Sequence, residues 1–178
     1  GFSTQAVTYA QGRPDYPRQL TGWLTDALQI NSHSTVIDLG AGTGKFTRLL
    51  STVAPTLIAV EPVEAMGAQL KKKLPAVRRL SGTAEAIPLE AATADALVCA
   101  QAFHWFSTEA ALAEIHRVLK PDGRLGLVWN VRDESVDWVA AITEIITPYE
   151  GDTPRFHTGR WREAFTGEYF SAPEMTCF

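Results

Sequence analysis

The stretch Thr35–Leu50, "TVIDLGAGTGKFTRLL", decides the fold, because a short apolar run passes into a glycine-rich turn and then into a helical pattern. The same alternation follows along the chain, with strand-length apolar runs at 56–60 (TLIAV), 95–100 (DALVCA) and 123–131 (GRLGLVWNV). These runs lack polar alternation, which is typical of strands buried on both faces. Strand–helix alternation of this kind predicts right-handed crossovers in a parallel sheet. We therefore predict an α/β fold: a doubly wound, mainly parallel sheet with helices on both faces.

The length of the chain and its turn-forming residues predict one domain with three segments. An N-terminal arm and helix occupy 1–34, the α/β core occupies 35–135, and a C-terminal helix with a possible substrate lid occupies 136–178. A short polar strand around Val77–Ser81 suits a sheet edge, and "KPDG" at 120–123 predicts a turn before the last strand. Because a doubly wound domain usually continues with further strands, we expect C-terminal strands to be absent from this chain.

Composition narrows the class of partner. The net charge of −4 gives no general basic surface, so we expect no nucleic-acid partner. No run approaches 18 apolar residues and no signal peptide is recognised, which predicts no membrane partner and a cytoplasmic location. Two distant cysteines, Cys99 and Cys177, form neither a disulfide framework nor a metal cluster, so we expect no metal. The oligomeric state is left open.

The glycine-rich turn departs from two phosphate-binding patterns. A Walker A loop requires glycine where Leu39 stands and serine or threonine where Phe46 stands. The dinucleotide pattern G-x-G-x-x-G accepts Gly40 and Gly42, but its third glycine falls on Lys45. Both interpretations are disfavoured.

What remains is D-x-G-x-G-x-G, formed by Asp38, Gly40, Gly42 and Gly44, with Glu61 ending the next strand. Glycines let a ligand approach the backbone, and a carboxylate at the end of the second strand can accept the hydroxyls of a ribose. Asp38 would repel a diphosphate but suits a cation. These features predict a nucleoside with a positively charged, phosphate-free tail, a description that S-adenosylmethionine meets. The alternatives are a simple tight turn, an Asp38 that only caps the following helix, and a solvated Glu61.

Five motifs in order resemble the class I S-adenosylmethionine-dependent methyltransferases, in particular the methyltransferase type 11-like group. They are "VIDLGAGTGKFT", "LIAVEPVEAM", "SGTAEAIPL", "ADALVCAQAFHWF" and "HRVLKPDGRLGLVW", within a similarity that spans roughly Tyr9 to Val131. "YAQGRPDYP" together with "QAFHWF" further resembles the trans-aconitate-methyltransferase-like branch.

The resemblance implies a cofactor site for S-adenosylmethionine. The glycine turn should line its methionine portion, Glu61 its ribose and the segment around Thr83 its adenine, although many relatives have aspartate where Thr83 stands. The alternative for Arg13 and Glu85 is an ordinary surface position, and the alternative for Met66 is a place in the core. The implied cofactor-binding residues are Arg13, Asp38, Gly40, Ala41, Gly42, Thr43, Gly44, Glu61, Pro62, Met66, Thr83, Ala84, Glu85, Gln101 and Ala102.

The loop after the fourth strand is the predicted substrate wall, because aromatic faces can stabilise a neighbouring sulfonium. His104 is the candidate catalytic base; its alternative is to shape the pocket, and a carboxylate acceptor needs no base. Trp161 with Arg160 and Arg162 can receive an anion, or can be an ordinary exposed helix surface. The predicted substrate-pocket residues are Tyr9, Tyr16, Phe103, His104, Trp105 and Phe106, with packing against the domain as the alternative for the two tyrosines.

The predicted function is therefore transfer of a methyl group from S-adenosylmethionine to an oxygen, nitrogen or carboxylate acceptor on a small molecule. The alternatives are a module that binds S-adenosylmethionine without catalysis and, less favoured by the third glycine, an NAD-dependent oxidoreductase.

Overall fold

The computed structural model describes residues 15–178 as a sheet of five strands with helices between them. The strands are β1 (Thr35–Leu39), β2 (Thr56–Val60), β3 (Arg78–Leu80), β4 (Ala94–Ala100) and β5 (Leu119–Val128). The α-helices are α1 (Gln19–Ala27), α2 (Lys45–Leu50), α3 (Glu64–Lys73), α4 (Glu109–Val118) and α5 (Asp137–Ile146). Short 3-10 helices occupy Phe103–Trp105, Thr147–Tyr149 and Arg160–Ala164.

All strand pairs are parallel and the strand order is β3-β2-β1-β4-β5, which confirms the predicted fold class. The polar strand β3 lies at the edge, as its composition predicts. The strand order reverses between β1 and β4. After β1 the chain adds β2 and β3 on one side of it, and then returns to add β4 and β5 on the other side. In open α/β sheets, ligands bind at the carboxyl ends of the strands beside such a reversal. The fold therefore directs attention to the loops that follow β1 and β4.

Apolar residues cover both faces of the sheet. On one face, α4 buries Ala111, Leu112, Ile115 and Val118, a spacing of three and four residues that forms one helical stripe. Thr108 begins this helix and its hydroxyl accepts from the Ala111 amide at 3.1 Å, a typical N-cap. The other face is covered by α1, α2 and α3, which contribute side chains including Leu24, Phe46 and Leu70. The helices thus lie on both faces, as predicted.

The "KPDG" segment differs from its prediction. Leu119 pairs with Ala94 and Arg124 with Ala96, so residues 120–123 form a bulge inside β5 and not a separate turn before it. Asp122 has a φ of +65° at this bulge. Lys120 binds the Asp95 carboxylate at 2.9 Å, and this ion pair fixes the bulge against β4.

The segment after β5 shares the core with the strands. The last 3-10 helix buries Trp161 and Ala164 against the same cluster as β4 and α4. By contrast, α5 buries none of its residues. Within residues 15–178, no helix has both the length and the apolar character that a membrane span requires.

Candidate functional site

A cavity of about 940 Å³ lies at the carboxyl ends of the strands, where the sheet order reverses. Seventeen predicted site residues line it, which places both the cofactor and the substrate predictions around one space. They are Tyr16, Asp38, Gly40, Ala41, Gly42, Thr43, Glu61, Pro62, Met66, Thr83, Ala84, Glu85, Gln101, Ala102, His104, Trp105 and Phe106. Tyr9 and Arg13 lie outside the described residues.

The glycine turn after β1 brings bare backbone to the cavity. Gly40 has a φ of +72°, and a Cβ added to it would lie 2.7 Å from the Ala102 Cβ, so both its conformation and its surroundings require glycine. Gly42 has a φ of +56°, and an added Cβ there would meet no atom within 4 Å. The backbone at Gly42 is therefore open to a ligand.

Gly44 does not line this cavity. It has a φ of +83° at the start of α2, and an added Cβ would lie 2.9 Å from Leu70 of α3. The structure thus separates this residue from the other predicted cofactor-binding residues, because the third glycine of the motif serves the close approach of two helices.

The amides of the turn are already used by the protein. Gly40 and Ala41 both donate to the Val60 carbonyl, at 2.9 and 3.1 Å, and Gly42 donates to the Glu61 carboxylate at 2.8 Å. A phosphate-binding loop instead turns successive amides towards its ligand. With two carboxylates beside it as well, this turn is unsuited to a diphosphate.

Asp38 is fully buried beneath the turn. Its Oδ2 accepts from the Thr47 hydroxyl at 2.6 Å, whereas its Oδ1 has no hydrogen-bond partner among the described residues. Burial raises the pKa of Asp38 from 3.8 to about 7; the Thr47 bond lowers it in part, and the Glu61 charge adds to the rise. The N-cap residue of α2 is Gly44, and no side chain accepts a capping hydrogen bond from this helix, so Asp38 is not a helix cap. A buried carboxylate with an unsatisfied oxygen suits a cationic or amine ligand.

Glu61 is buried too, with 4% of its surface exposed, so it is not a solvated strand-end acid. One carboxylate oxygen accepts from Gly42 and the other from the Val63 amide at 2.9 Å. Each oxygen has a second lone pair, which can accept from a ligand hydroxyl. The side chain is held rigidly at the cavity edge by two bonds to backbone.

Residues of the predicted adenine side lie together on the cavity. Met66 is 5% exposed and packs beside the cavity, so its core and ligand-facing roles coincide. Ala84 is buried, whereas Thr83 and Glu85 are exposed at the surface. An isolated bridge between Thr83 and Ala86 shapes this loop.

The end of β4 is strained. Gln101 has a φ of +56°, which is unusual for a residue with a side chain and is often found at functional sites. Its amide donates to the Val128 carbonyl at 2.8 Å, and its side chain donates to the Asn130 carbonyl at 3.2 Å. These bonds join the ends of β4 and β5 beneath the cavity.

Three of the four residues of the "FHWF" loop line the cavity, but Phe103 does not. Phe103 is fully buried and makes ring contacts with Phe106, Trp161 and Phe165. The prediction that it forms the substrate wall is wrong, because its ring points into the core and supports Phe106 from behind.

His104 is held by a residue that sequence reasoning missed. The indole Nε1–H of Trp129 donates to the imidazole Nδ1 at 3.0 Å. Because an indole nitrogen can only donate, Nδ1 must carry a lone pair, and the proton of the neutral ring lies on Nε2. The lone pair that a general base would use is thus already occupied, which opposes the predicted role of His104 as a base.

Further cavity residues were not predicted. Six of them adjoin predicted residues within the same motifs, and those that directly follow β5 had an available signal, because carboxyl ends of parallel strands meet at one edge. Only the residues between 150 and 157 come from a distant segment, which was predicted no more closely than as a possible lid. The missed residues are Leu39, Lys45, Phe46, Val63, Gly82, Ala100, Trp129, Asn130, Val131, Arg132, Glu134, Glu150, Arg155, Phe156 and His157.

The predicted anion site around Trp161 is also wrong. Trp161 is 4% exposed and packs against Trp129 and Phe156, with ring centroids 4.7 and 5.8 Å away. The Arg162 guanidinium lies over the Trp161 ring at 4.3 Å, and neither it nor Arg160 reaches the cavity. Among residues 15–178, no three His, Cys, Asp or Glu side chains are grouped as metal ligands.

Comparison with known proteins places this geometry in a family. Residues 37–127 match the family model for the methyltransferase domain. An uncharacterised methyltransferase-like protein of Schizosaccharomyces pombe is 45% identical over 178 residues, 99% of this chain and 70% of its own length. An uncharacterised methyltransferase of Mycobacterium bovis is 45% identical over 145 residues, 82% of this chain and 58% of its own length.

A solved structure agrees in fold. CalS10 from Micromonospora echinaspora, an amino pentose methyltransferase with S-adenosylmethionine bound, has a TM-score of 0.58 and 25% identity over 74% of this chain and 57% of its own. The trans-aconitate-like branch stays a prediction. The buried carboxylates, the bare glycine turn and the family match agree: this chain belongs to the methyltransferase family and is an enzyme whose cofactor is S-adenosylmethionine.

Proposed function

We propose that this enzyme transfers the methyl group to an acceptor on a small molecule. The observation that carries the proposal is the single cavity, which extends from Asp38 and Glu61 past the aromatic loop to Trp129 and Phe156. Its volume of about 940 Å³ is at the upper end of the range for small-molecule sites, about 300–1,000 Å³. It can accommodate a cofactor and a small acceptor side by side.

The cofactor end is proposed to recognise three parts of S-adenosylmethionine. The unsatisfied Oδ1 of Asp38 faces the cationic methionine end, and the open backbone at Gly42 lets that end approach closely. The remaining lone pairs of Glu61 accept the ribose hydroxyls. Met66 and Ala84 supply the apolar surface for the adenine. We propose the same cofactor-facing role for the other predicted residues on this wall, among them Thr83 and Glu85.

The chemistry requires alignment more than acid–base groups. S-adenosylmethionine supplies a methyl group on a sulfonium, which an aligned nucleophile displaces in line. Phe106, Trp105 and Trp129 line the cavity next to the end of β4, where their faces can exclude water and stabilise a cation by about 0.5–2 kcal/mol. These side chains position the acceptor against the cofactor.

The acceptor is proposed to enter as a ready nucleophile. The lone pair of His104 is bound by Trp129, and Asp38 and Glu61 are buried at the cofactor end. An alcohol needs a base to become nucleophilic, whereas a carboxylate or an uncharged amine does not. The site thus favours a carboxylate or amine acceptor over an aliphatic alcohol.

Titration calorimetry and labelled methyl transfer test this proposal together. The protein should bind S-adenosylhomocysteine and not NAD, and Glu61→Ala should weaken that binding by more than about tenfold, since the ribose loses its acceptor and the Gly42 amide loses its partner. Glu61→Gln, which keeps one carbonyl acceptor, should lose less. An unchanged dissociation constant in Glu61→Ala would remove this residue from the site.

A panel of small carboxylic acids, amines and alcohols is then offered with methyl-labelled S-adenosylmethionine. Transfer to acids or amines supports the proposal. Transfer confined to alcohols contradicts the proposed preference for a carboxylate or amine acceptor, and transfer confined to proteins or nucleic acids contradicts the small-molecule acceptor. Tight binding of S-adenosylhomocysteine without any methyl transfer would favour the alternative that this chain binds the cofactor without catalysis.

A further inference from the structure

A group of charged side chains lies on the cavity away from the cofactor end. Arg132, Glu150, Arg155 and His157 all line the cavity and come from the segments that follow β5 and α5. We call these four residues the Glu150 cluster. Glu150, Arg155 and His157 fall within the segment predicted as a possible substrate lid, but none of the four was singled out as a site residue, and none has a part in the cofactor contacts proposed above.

The cluster is organised around one carboxylate. The Glu150 side chain is 12% exposed, and its oxygens lie 3.6 Å from an Arg132 nitrogen, 3.9 Å from Arg155 Nε and 3.8 Å from His157 Nε2. Each distance allows ion pairing but exceeds that of a good hydrogen bond. Glu150 thus holds two guanidinium groups near each other without using their donors.

One donor and one acceptor in this cluster are left unsatisfied. Arg155 Nε and Glu150 Oε2 are both buried and have no hydrogen-bond partner among the described residues. A buried guanidinium N–H without an acceptor is unfavourable, and a ligand oxygen can provide the missing bond. The Nε donor of Arg155 is therefore available to a group that enters the cavity, and the Arg132 side chain, which is 42% exposed, lies on the same carboxylate and can turn its donors to the same group.

The charge balance of the cluster is positive. Two arginines face one shared carboxylate, and His157 adds a further positive charge when it is protonated. Glu134 also lines the cavity and, like Arg132, is exposed; within residues 15–178, no ion pair joins it to either arginine, so its charge is not part of the cluster. The unbalanced guanidinium charge suits an anion.

The position of the cluster is fixed by aromatic packing. Phe156 lies between Arg155 and His157 in sequence, and its ring contacts Trp129 at 5.0 Å and Trp161 at 5.8 Å between centroids. Because Phe156 is anchored, its two basic neighbours are held at the cavity beside the Trp129 face. An anionic group on an apolar or aromatic body matches both features.

We propose that the Glu150 cluster is a subsite for a carboxylate of the methyl acceptor, bound by the guanidinium groups of Arg132 and Arg155 while the acceptor body packs on Trp129 and Phe156. Arginine donors arranged in a plane match a carboxylate in paired hydrogen bonds. The inference rests on the proposed small-molecule acceptor and names its chemical class. The arginines are binding residues and take no part in the methyl displacement.

The test compares an acid with its uncharged counterpart. Phenylacetate and 2-phenylacetamide have nearly the same shape and both offer a ring to the aromatic wall, but only the first carries a charge. Each is titrated into the protein saturated with S-adenosylhomocysteine, by calorimetry and by the fluorescence of the tryptophans at the cavity. The proteins are the unmodified chain, Arg132→Gln, Arg155→Gln, the double variant and Arg160→Gln, an exposed arginine off the cavity.

The unmodified chain should bind phenylacetate more tightly than the amide. The double variant should lose at least about tenfold in affinity for phenylacetate and change less than about twofold for the amide, because only the charged hydrogen bonds are removed. Arg160→Gln should leave both affinities unchanged. Equal binding of acid and amide by the unmodified chain, or an equal loss in Arg160→Gln, would overturn the subsite.

S-adenosylhomocysteine binding separates the two proposals. Each variant should bind it as the unmodified chain does, which also shows that the variants are folded. If the unmodified chain fails to bind it, the proposed cofactor-binding contacts fail. If it binds normally but the preference for the acid is absent, only the carboxylate subsite is wrong.

Discussion

Replacing Asp38 by asparagine tests whether a buried carboxyl group is kept uncharged until the cofactor binds. The side chain is fully buried, and the pKa of Asp38 is raised to about 7 from 3.8, first by burial. Because the folded pKa lies above the unfolded one, the folded state holds a proton that the unfolded state releases above pH 4. Asp38 therefore lowers the stability of the fold progressively as the pH rises from about 4 to 7.

The size of this effect follows from the shift. One pH unit corresponds to about 1.36 kcal/mol, so the two units between pH 5 and pH 7 amount to about 2.7 kcal/mol. Asparagine has nearly the same shape and can still accept from the Thr47 hydroxyl, but it does not titrate. The free energy of unfolding of Asp38→Asn, minus that of the unmodified chain, should therefore be more positive at pH 8.5 than at pH 5.0 by about 2.7 kcal/mol.

Urea unfolding at both pH values, at constant ionic strength, measures this difference. All other titrating groups are shared by the two proteins, so their effects cancel. In calorimetry, a cationic cofactor should favour ionised Asp38, so that affinity rises with pH between 6 and 8 in the unmodified chain and is flat in Asp38→Asn. Parallel pH curves for the two proteins, in stability and in affinity, would refute the reasoning.

Three further substitutions test the cavity wall and the packing of the sheet. Gly40→Ala should destabilise the fold by about 1–3 kcal/mol in urea unfolding and weaken S-adenosylhomocysteine binding, because the added Cβ would lie 2.7 Å from the Ala102 Cβ on a backbone with positive φ. Gly22→Ala, at an exposed position of α1 with no atom within 4 Å of the added Cβ, should instead stabilise the fold by about 0.5–1 kcal/mol. Asp95→Asn should reduce stability by about 1 kcal/mol at pH 7. Burial raises the pKa of Asp95, but the bonds from the Thr35 amide and Lys120 outweigh burial and lower this pKa overall, so the loss should shrink as the pH falls below 4. Trp129→Phe should remove the indole donor to the His104 Nδ1, so that nitrogen NMR shifts show the Nε2–H tautomer before the change and a smaller share of it afterwards; a mixture of tautomers already present in the unmodified chain would contradict the hydrogen bond.

Local sequence determined a large part of the fold. The strand runs, the helical patterns between them and the polar edge strand were all predictable, because hydrophobic periodicity reports burial within a few residues of chain. The positions of Asp38, Gly40 and Glu61 were predictable for a related reason. A turn after a buried parallel strand must lie at the carboxyl edge of the sheet, and the next strand brings its own end to the same place.

Other features depended on contacts between distant segments. Phe103 and Phe106 are of one residue type in one loop, yet one ring is in the core and the other on the cavity, and the packing of Phe103 against Trp161 and Phe165 from a distant segment accounts for the difference. The tautomer of His104 is set by Trp129, which directly follows β5. No local pattern contains either partner.

The difference between the features that the sequence predicts and those that it does not has a physical cause. Backbone conformation and strand burial follow from residues adjacent in sequence, so the chain by itself determined the α/β sheet, the glycine turn and the two carboxylates beside it. Hydrogen bonds of the turn amides to Val60, the unsatisfied oxygen of Asp38 and the gathering of arginines around Glu150 arise only when separate segments are packed together. Tertiary structure alone decided them, because each depends on the distance between atoms that the sequence leaves far apart.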